Sequence, residues 1–182
     1  MSDADAPGEE RRRSRANRRA RVEALTDSLR DPVTGLPNED GIKQVLESAR
    51  RRAERHGTVF AAIRCVVAGG DGSHTGLLGE LTGRVRDLLR QADTVGSDGA
   101  AIIVVAEDLH DEQDAAGITY RLLSSAVAPI DGGDAPAEVG LVAGTVVADG
   151  STAPGSLLEA AAAAAGEALA RGGFELVDLR QR

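Results

Sequence analysis

The chain has 182 residues and a mass of 18.8 kDa, room for one domain of ordinary size with a tail and too little for a two-domain enzyme. Hydrophobic residues make up 42% and charged residues 27%, but aromatics only 2% with no tryptophan, so Ala, Val and Leu must fill the core and stacking on exposed aromatics is nearly excluded. The net charge of −8 hides an asymmetry: residues 1 to 30 carry eight arginines against six acids, leaving −10 for the remainder, which argues against a nucleic-acid-binding body.

The uncharged apolar runs over 99–106 and 139–148 are far shorter than the roughly 20 residues of a membrane span. Residues 1 to 5 lead to the arginines without an apolar signal region, so the expected location is the cytoplasm. The single cysteine, Cys65, excludes an intrachain disulfide and a zinc knuckle.

Residues 1 to 17 are polar, charged and poor in apolar surface, which predicts a disordered arginine-rich arm. Its arginines, Arg11 to Arg13, Arg15, Arg18 and Arg19, read as a solvated arm diluted by Glu9, Glu10 and Glu23, with RNA or anionic lipid as the competing reading. Over 18 to 30, Val22, Leu25 and Leu29 form a narrow helical stripe suited to a two-helix seam. This predicts a linker helix that either dimerises or docks on its own domain, which is assigned to residues 31 to 182. The prolines and glycine of Asp31-Pro32-Val33-Thr34-Gly35-Leu36-Pro37-Asn38 end that helix before another begins at Asp40.

Ile42, Val45, Leu46 and Ala49 give the next helix its apolar face, and Gly57 stops it. Thr58 to Val67 reads as a buried strand and is followed by the loop Gly69-Gly70-Asp71-Gly72. A helix is predicted from about Gly76 to Arg90, a short strand at Asp93 to Val95, the hairpin turn Gly96-Ser97-Asp98-Gly99, and a strand from Ala100 to Ala106. Asp111 to Ala128 and Pro154 to Ala170 read as helices, Val139 to Val147 and Glu175 to Asp178 as strands. The order β-α-β-β-α-β-α-β implies an α+β domain with one mostly antiparallel sheet.

At Asp31 to Asn38 the residues resemble the lead-in motif of GGDEF domains, the diguanylate cyclase family. Leu88-Leu89-Arg90-Gln91-Ala92-Asp93-Thr94-Val95, the hairpin and the late Leu157-Leu158-Glu159 helix follow in that family's order. The resemblance covers about residues 18 to 178 and implies the nucleotide-cyclase palm fold, a central, mostly antiparallel five-stranded sheet wrapped by helices.

The catalytic residues of the family do not carry over. Where the family has Gly-Gly-Asp-Glu-Phe, this chain has Gly99-Ala100-Ala101-Ile102-Ile103, and where the first strand ends in Asp-x-Asp it has Cys65-Val66-Val67. The guanine-contacting asparagine has no counterpart in the loop Ala68 to Ser73, the base-reading Asp falls at Thr75, and the phosphate-binding Lys falls at Ala170. Asp71 reads as a turn aspartate. Phosphoryl transfer between two GTP molecules requires Mg²⁺ held by carboxylate oxygens, so no catalytic residue, metal site or cofactor is expected. A degenerate, non-enzymatic domain is the expectation.

The resemblance does preserve the family's inhibitory product site. Arg90-Gln91-Ala92-Asp93 stands five residues ahead of Gly99, and an ungapped count places the family's second arginine at Arg121, the lone base among eleven acids between Asp93 and Asp149. An arginine fork suits a phosphate or a guanine edge, and a carboxylate suits guanine N–H donors. Cyclic di-GMP, a second messenger that bridges two domains in this family, is the ligand implied, with Arg90, Asp93 and Arg121 as its residues. The competing readings are that Arg90 pairs with Asp93, that Arg121 relieves repulsion among Asp111, Glu112 and Asp114, and that the domain is a ligand-independent scaffold. In that last case the N-terminal helix or the acidic surface engages a protein partner or a second copy of the chain.

Overall fold

In the computed structural model the described residues are 25–32, 34–68, 75–125 and 140–180. The expected arm over 1–17, most of the linker helix, Val22 and the glycine-rich loop around Asp71 lie outside them. Near the start of the described residues, after a helical turn at 25–28, stands the turn that the two prolines predict. One Asp31 carboxylate oxygen accepts the Thr34 N–H at 2.7 Å and its hydroxyl at 2.9 Å. The Asn38 side-chain amide donates to the Ser28 carbonyl at 2.8 Å, and its carbonyl oxygen accepts the Gly41 N–H at 3.0 Å. Asn38 thereby ties the end of the preceding helical turn to the start of α1, Glu39–His56.

Helix α1 carries Glu39 and Asp40 in its first turn, Arg55 and His56 in its last, and ends on Gly57 at φ 65°, an arrangement matched to the helix dipole and to a left-handed C-cap. Thereafter come β1 (Val59–Ala68), α2 (Thr75–Leu88), β2 (Thr94–Ser97), β3 (Ile102–Leu109), α3 (Glu112–Ser125), β4 (Gly140–Ala148), α4 (Pro154–Arg171) and β5 (Phe174–Asp178). The sheet order is β2-β3-β1-β4-β5. All neighbours are antiparallel except β4 and β5, which the α4 crossover makes parallel. The expected α+β architecture is observed.

Alternation along β1 divides the core between the two sheet faces. Ala61, Ile63 and Cys65 join Leu81 and Val85 of α2 and Ile118 and Leu122 of α3 on one face. Phe60 and Ala62 join Ile42 and Leu46 of α1 and Leu157 and Ala161 of α4 on the other. Because both faces are covered, β1, β3 and β4 are largely apolar rather than alternating, with Arg64, Glu107, Asp108 and Thr145 as the polar exceptions. Two polar pairs are built into this core. The hydroxyls of Thr119 and Thr145, both fully buried, lie 2.7 Å apart, and the buried Glu107 receives the Arg52 guanidinium at 2.6 Å.

Several boundaries differ from the sequence reading, three of them for a local reason. Gly96 and Ser97 belong to β2 and the turn is 98–101, so β3 starts at Ile102 and not at Ala100. The Asp98 side chain draws the N–H groups of Ala100 and Ala101 into a tight turn, which removes both from the ladder. Helix α2 stops at Leu88, leaving Arg90 in the connection to β2. Helix α3 begins after Asp111, whose carboxylate caps it by accepting the N–H groups of Gln113 and Asp114.

Candidate functional site

At the β2–β3 hairpin, Asp98 Oδ1 accepts the Ala100 N–H at 3.0 Å and the Ala101 N–H at 2.8 Å. Gly99, at φ 84°, occupies the left-handed position of the turn. The second oxygen of Asp98 accepts the guanidinium of Arg64 from β1. Arg64 lies opposite Ile103, and Cys65 opposite Ile102, so the ion pair fastens the hairpin tip to the centre of the sheet. Ile102 and Ile103 are buried. Cys65 is fully buried as well, and burial pushes its thiol up to about 12. Val67 packs against the core. In the positions that the resemblance assigns to metal ligands, none of these side chains fits Mg²⁺, which takes carboxylate oxygens. Among the described residues no group of three or more His, Cys, Asp or Glu stands at metal-binding distance.

The second region lies at the opposite end of β2. Asp93 closes the connection between α2 and β2: one carboxylate oxygen accepts the Arg90 N–H at 3.0 Å, the other the Glu107 N–H at 3.3 Å. The Asp93 N–H in turn donates to the Arg90 carbonyl at 3.0 Å. Asp93 therefore bonds the backbone of Arg90, and neither Arg90 nor Arg121 has an ion pair among the described residues. Both residues line one open groove of about 280 Å³, with Leu109, Gln113, Asp114, Gly117 and Ile118 as the other walls.

The acids that Arg121 could have relieved have other partners. Glu112 pairs with Arg180, and Asp114 pairs with the His110 ring at 3.1 Å. Asp114 ionises below the usual carboxylate range, held there first by the His110 N–H, then by the His110 ring, with the Arg90 charge adding to both. The groove thus presents two exposed guanidiniums and one ionised carboxylate.

A further groove of about 380 Å³ runs between the N-terminal turn and α1, lined by Leu29, Pro37, Val45, Arg52, Thr94 and Glu107 among others. It is linked to Arg90 of the arginine groove through Glu107 and Asp93: Glu107 receives Arg52 with its side chain and donates its N–H to Asp93, which accepts the Arg90 N–H. Thr75 opens α2 and Ala170 is exposed on α4.

Sequence reasoning missed two features. The Arg64–Asp98 pair was signalled by a lone charge inside the apolar run Val59–Ala68. Tyr120 of α3 was not singled out, and it is 68% exposed beside Arg121.

No protein-family model and no curated protein matches the sequence. Solved structures do match. The GGDEF domain of YfiN (also TpbB) from Pseudomonas aeruginosa is 26% identical, over 80% of this chain and 99% of that one, with a TM-score of 0.68. The diguanylate cyclase SiaD of the same organism, in complex with its activator SiaC, is 22% identical over 96% of this chain and 70% of its own, with a TM-score of 0.72. The coiled coil and GGDEF domain of DgcB from Caulobacter crescentus, in complex with cyclic di-GMP, is 14% identical over 97% and 100%, with a TM-score of 0.69. These last two speak to the fold alone. By its fold, the chain is a GGDEF-like domain.

Proposed function

We propose that this GGDEF-like domain makes no cyclic di-GMP and instead binds it, through Arg90 and Arg121 with Asp93 shaping the site, and passes the signal to a protein partner. The observation that carries the reading is the shared groove: Arg90 follows α2, Arg121 sits on α3, and both line it without an ion pair among the described residues. A guanidinium fork bonds phosphate oxygens or a guanine O6/N7 edge in two places at once. Two forks on one groove suit a ligand that offers both groups. The ionised Asp114 on the same groove can accept the guanine N–H donors of the opposite edge.

Absence of synthesis is supported by the donor set at the hairpin. Mg²⁺ neutralises the charge that develops in phosphoryl transfer, and Cys65, Val67, Ala101 and Ile102 offer it no carboxylate. The nearby Asp98 is already bonded to Arg64 and to two backbone N–H groups.

Isothermal titration of the full-length chain with cyclic di-GMP tests the reading. Micromolar or tighter binding by the wild type, lost in Arg90→Ala and Arg121→Ala, is the expected result. No heat with the wild type would overturn it in favour of a scaffold that engages its partner without nucleotide, and unchanged affinity in Arg90→Ala would overturn the assignment of the site. Incubation with GTP and Mg²⁺ is expected to yield no cyclic di-GMP.

A further inference from the structure

We infer that Tyr120, which stands on α3 at the rim of the Arg90/Arg121 groove and outside its lining residues, is a ligand-stacking residue placed to close over a purine base; this rests on the reading of that groove as a cyclic dinucleotide site. The chain has three aromatic side chains, one Tyr and two Phe. Phe60 is fully buried and Phe174 packs against the core. Tyr120 alone presents its ring to solvent, at 68% exposure, and nothing in the core accounts for it.

Its position on α3 relates it to the groove. Tyr120 follows the groove residue Gly117 by three positions and precedes Arg121 by one. Side chains three and four apart share a helix face, and a long helical side chain leans back over the turn N-terminal to its own Cα. For Tyr120 that turn holds Ala116 and Gly117. Gly117 leaves the space open, since a Cβ there would meet no atom within 4 Å. A planar ring seated above Gly117 would have the Arg121 guanidinium from the groove lining and the exposed Tyr120 ring at the rim as its candidate stacking partners. Both stack on purines, the arginine through its delocalised plane and the tyrosine through its π face. The hydroxyl remains at the rim, where water satisfies it.

The test uses the full-length chain and cyclic di-GMP, measured by calorimetry and by tyrosine emission. With one tyrosine and no tryptophan, the emission reports Tyr120 alone once nucleotide absorbance is corrected against free tyrosinamide. Saturable quenching at the calorimetric stoichiometry is expected. Tyr120→Phe should retain wild-type affinity, while Tyr120→Ala and Tyr120→Leu each weaken it roughly tenfold, as loss of one stacking partner does, with unchanged melting temperature. Wild-type binding with no quenching and no loss in Tyr120→Ala would overturn the assignment of Tyr120 and leave the arginine groove standing. No binding by the wild type would overturn both.

Discussion

Asp93 accepts the backbone N–H of Arg90 at 3.0 Å and leaves the Arg90 guanidinium to the neighbouring groove. The two residues are therefore not an ion pair in which each satisfies the other. The carboxylate holds the turn, and its second oxygen anchors that turn to β3 through the Glu107 N–H. Arg90 is presented by a connection fixed at both ends.

That division of labour predicts two separable effects. Asp93→Ala should destabilise the domain by about 1–2 kcal/mol, because two backbone donors lose their acceptor. Urea denaturation measures the loss. Asp93→Asn, which retains one side-chain oxygen, should lose less. Arg90→Ala should leave the denaturation midpoint unchanged and affect only ligand affinity.

At the hairpin, Asp98 has three partners and Arg64 one of them. Asp98→Ala should cost about 2–3 kcal/mol, since it abandons the Ala100 and Ala101 N–H groups together with the guanidinium. Arg64→Ala should cost roughly 1 kcal/mol less, because the turn keeps its backbone acceptor. Equal midpoints for the two variants in guanidinium denaturation would show that the turn bonds contribute nothing.

Two glycines should respond oppositely to alanine. A Cβ on Gly144 of β4 would stand 2.2 Å from the Ala161 carbonyl oxygen and 2.3 Å from the Ala165 N of α4, so Gly144→Ala should destabilise by about 1–3 kcal/mol through overpacking. Gly117 on α3 has open space where its Cβ would be, and Gly117→Ala should stabilise the helix by up to about 1 kcal/mol. Thermal melts of the pair compare them directly.

Cys65 provides a pH test. Its folded thiol is raised to about 12 by burial, while an unfolded cysteine ionises near 8.5. A raised folded value means that the associated stability is fully present below the unfolded one and is lost as pH rises toward the folded one. Stability should therefore fall between roughly pH 9 and 12, and Cys65→Ser should flatten that decline. In the native protein at neutral pH, Cys65 should resist alkylation until denaturant is added.

Much of the architecture was legible because its signals are local. The Pro-Gly turn ahead of α1, the Gly57 stop and the apolar spacing of Ile42, Val45, Leu46 and Ala49 lie within one helix and its ends. The buried strands Val59–Ala68 and Gly140–Ala148 are marked by their predominantly apolar character, broken in the first by Arg64 and in the second by Thr145. The hairpin was shifted by two residues because Asp98 bonds forward to Ala100 and Ala101, and turn propensity alone does not reveal which of four adjacent turn formers will do so.

By itself, the sequence determined the element order, the two-faced burial of the sheet and the register of Arg90 and Asp93 ahead of the hairpin, since each depends on neighbours in the chain. Only the tertiary structure decided that Arg90 and Arg121 line one groove, that Arg64 closes on Asp98, and that Tyr120 faces solvent. The groove depends on how α2 and α3 pack on one face of the sheet, and the Arg64–Asp98 pair on the register of β1 and β2 against β3, neither of which is a property of neighbours in the chain.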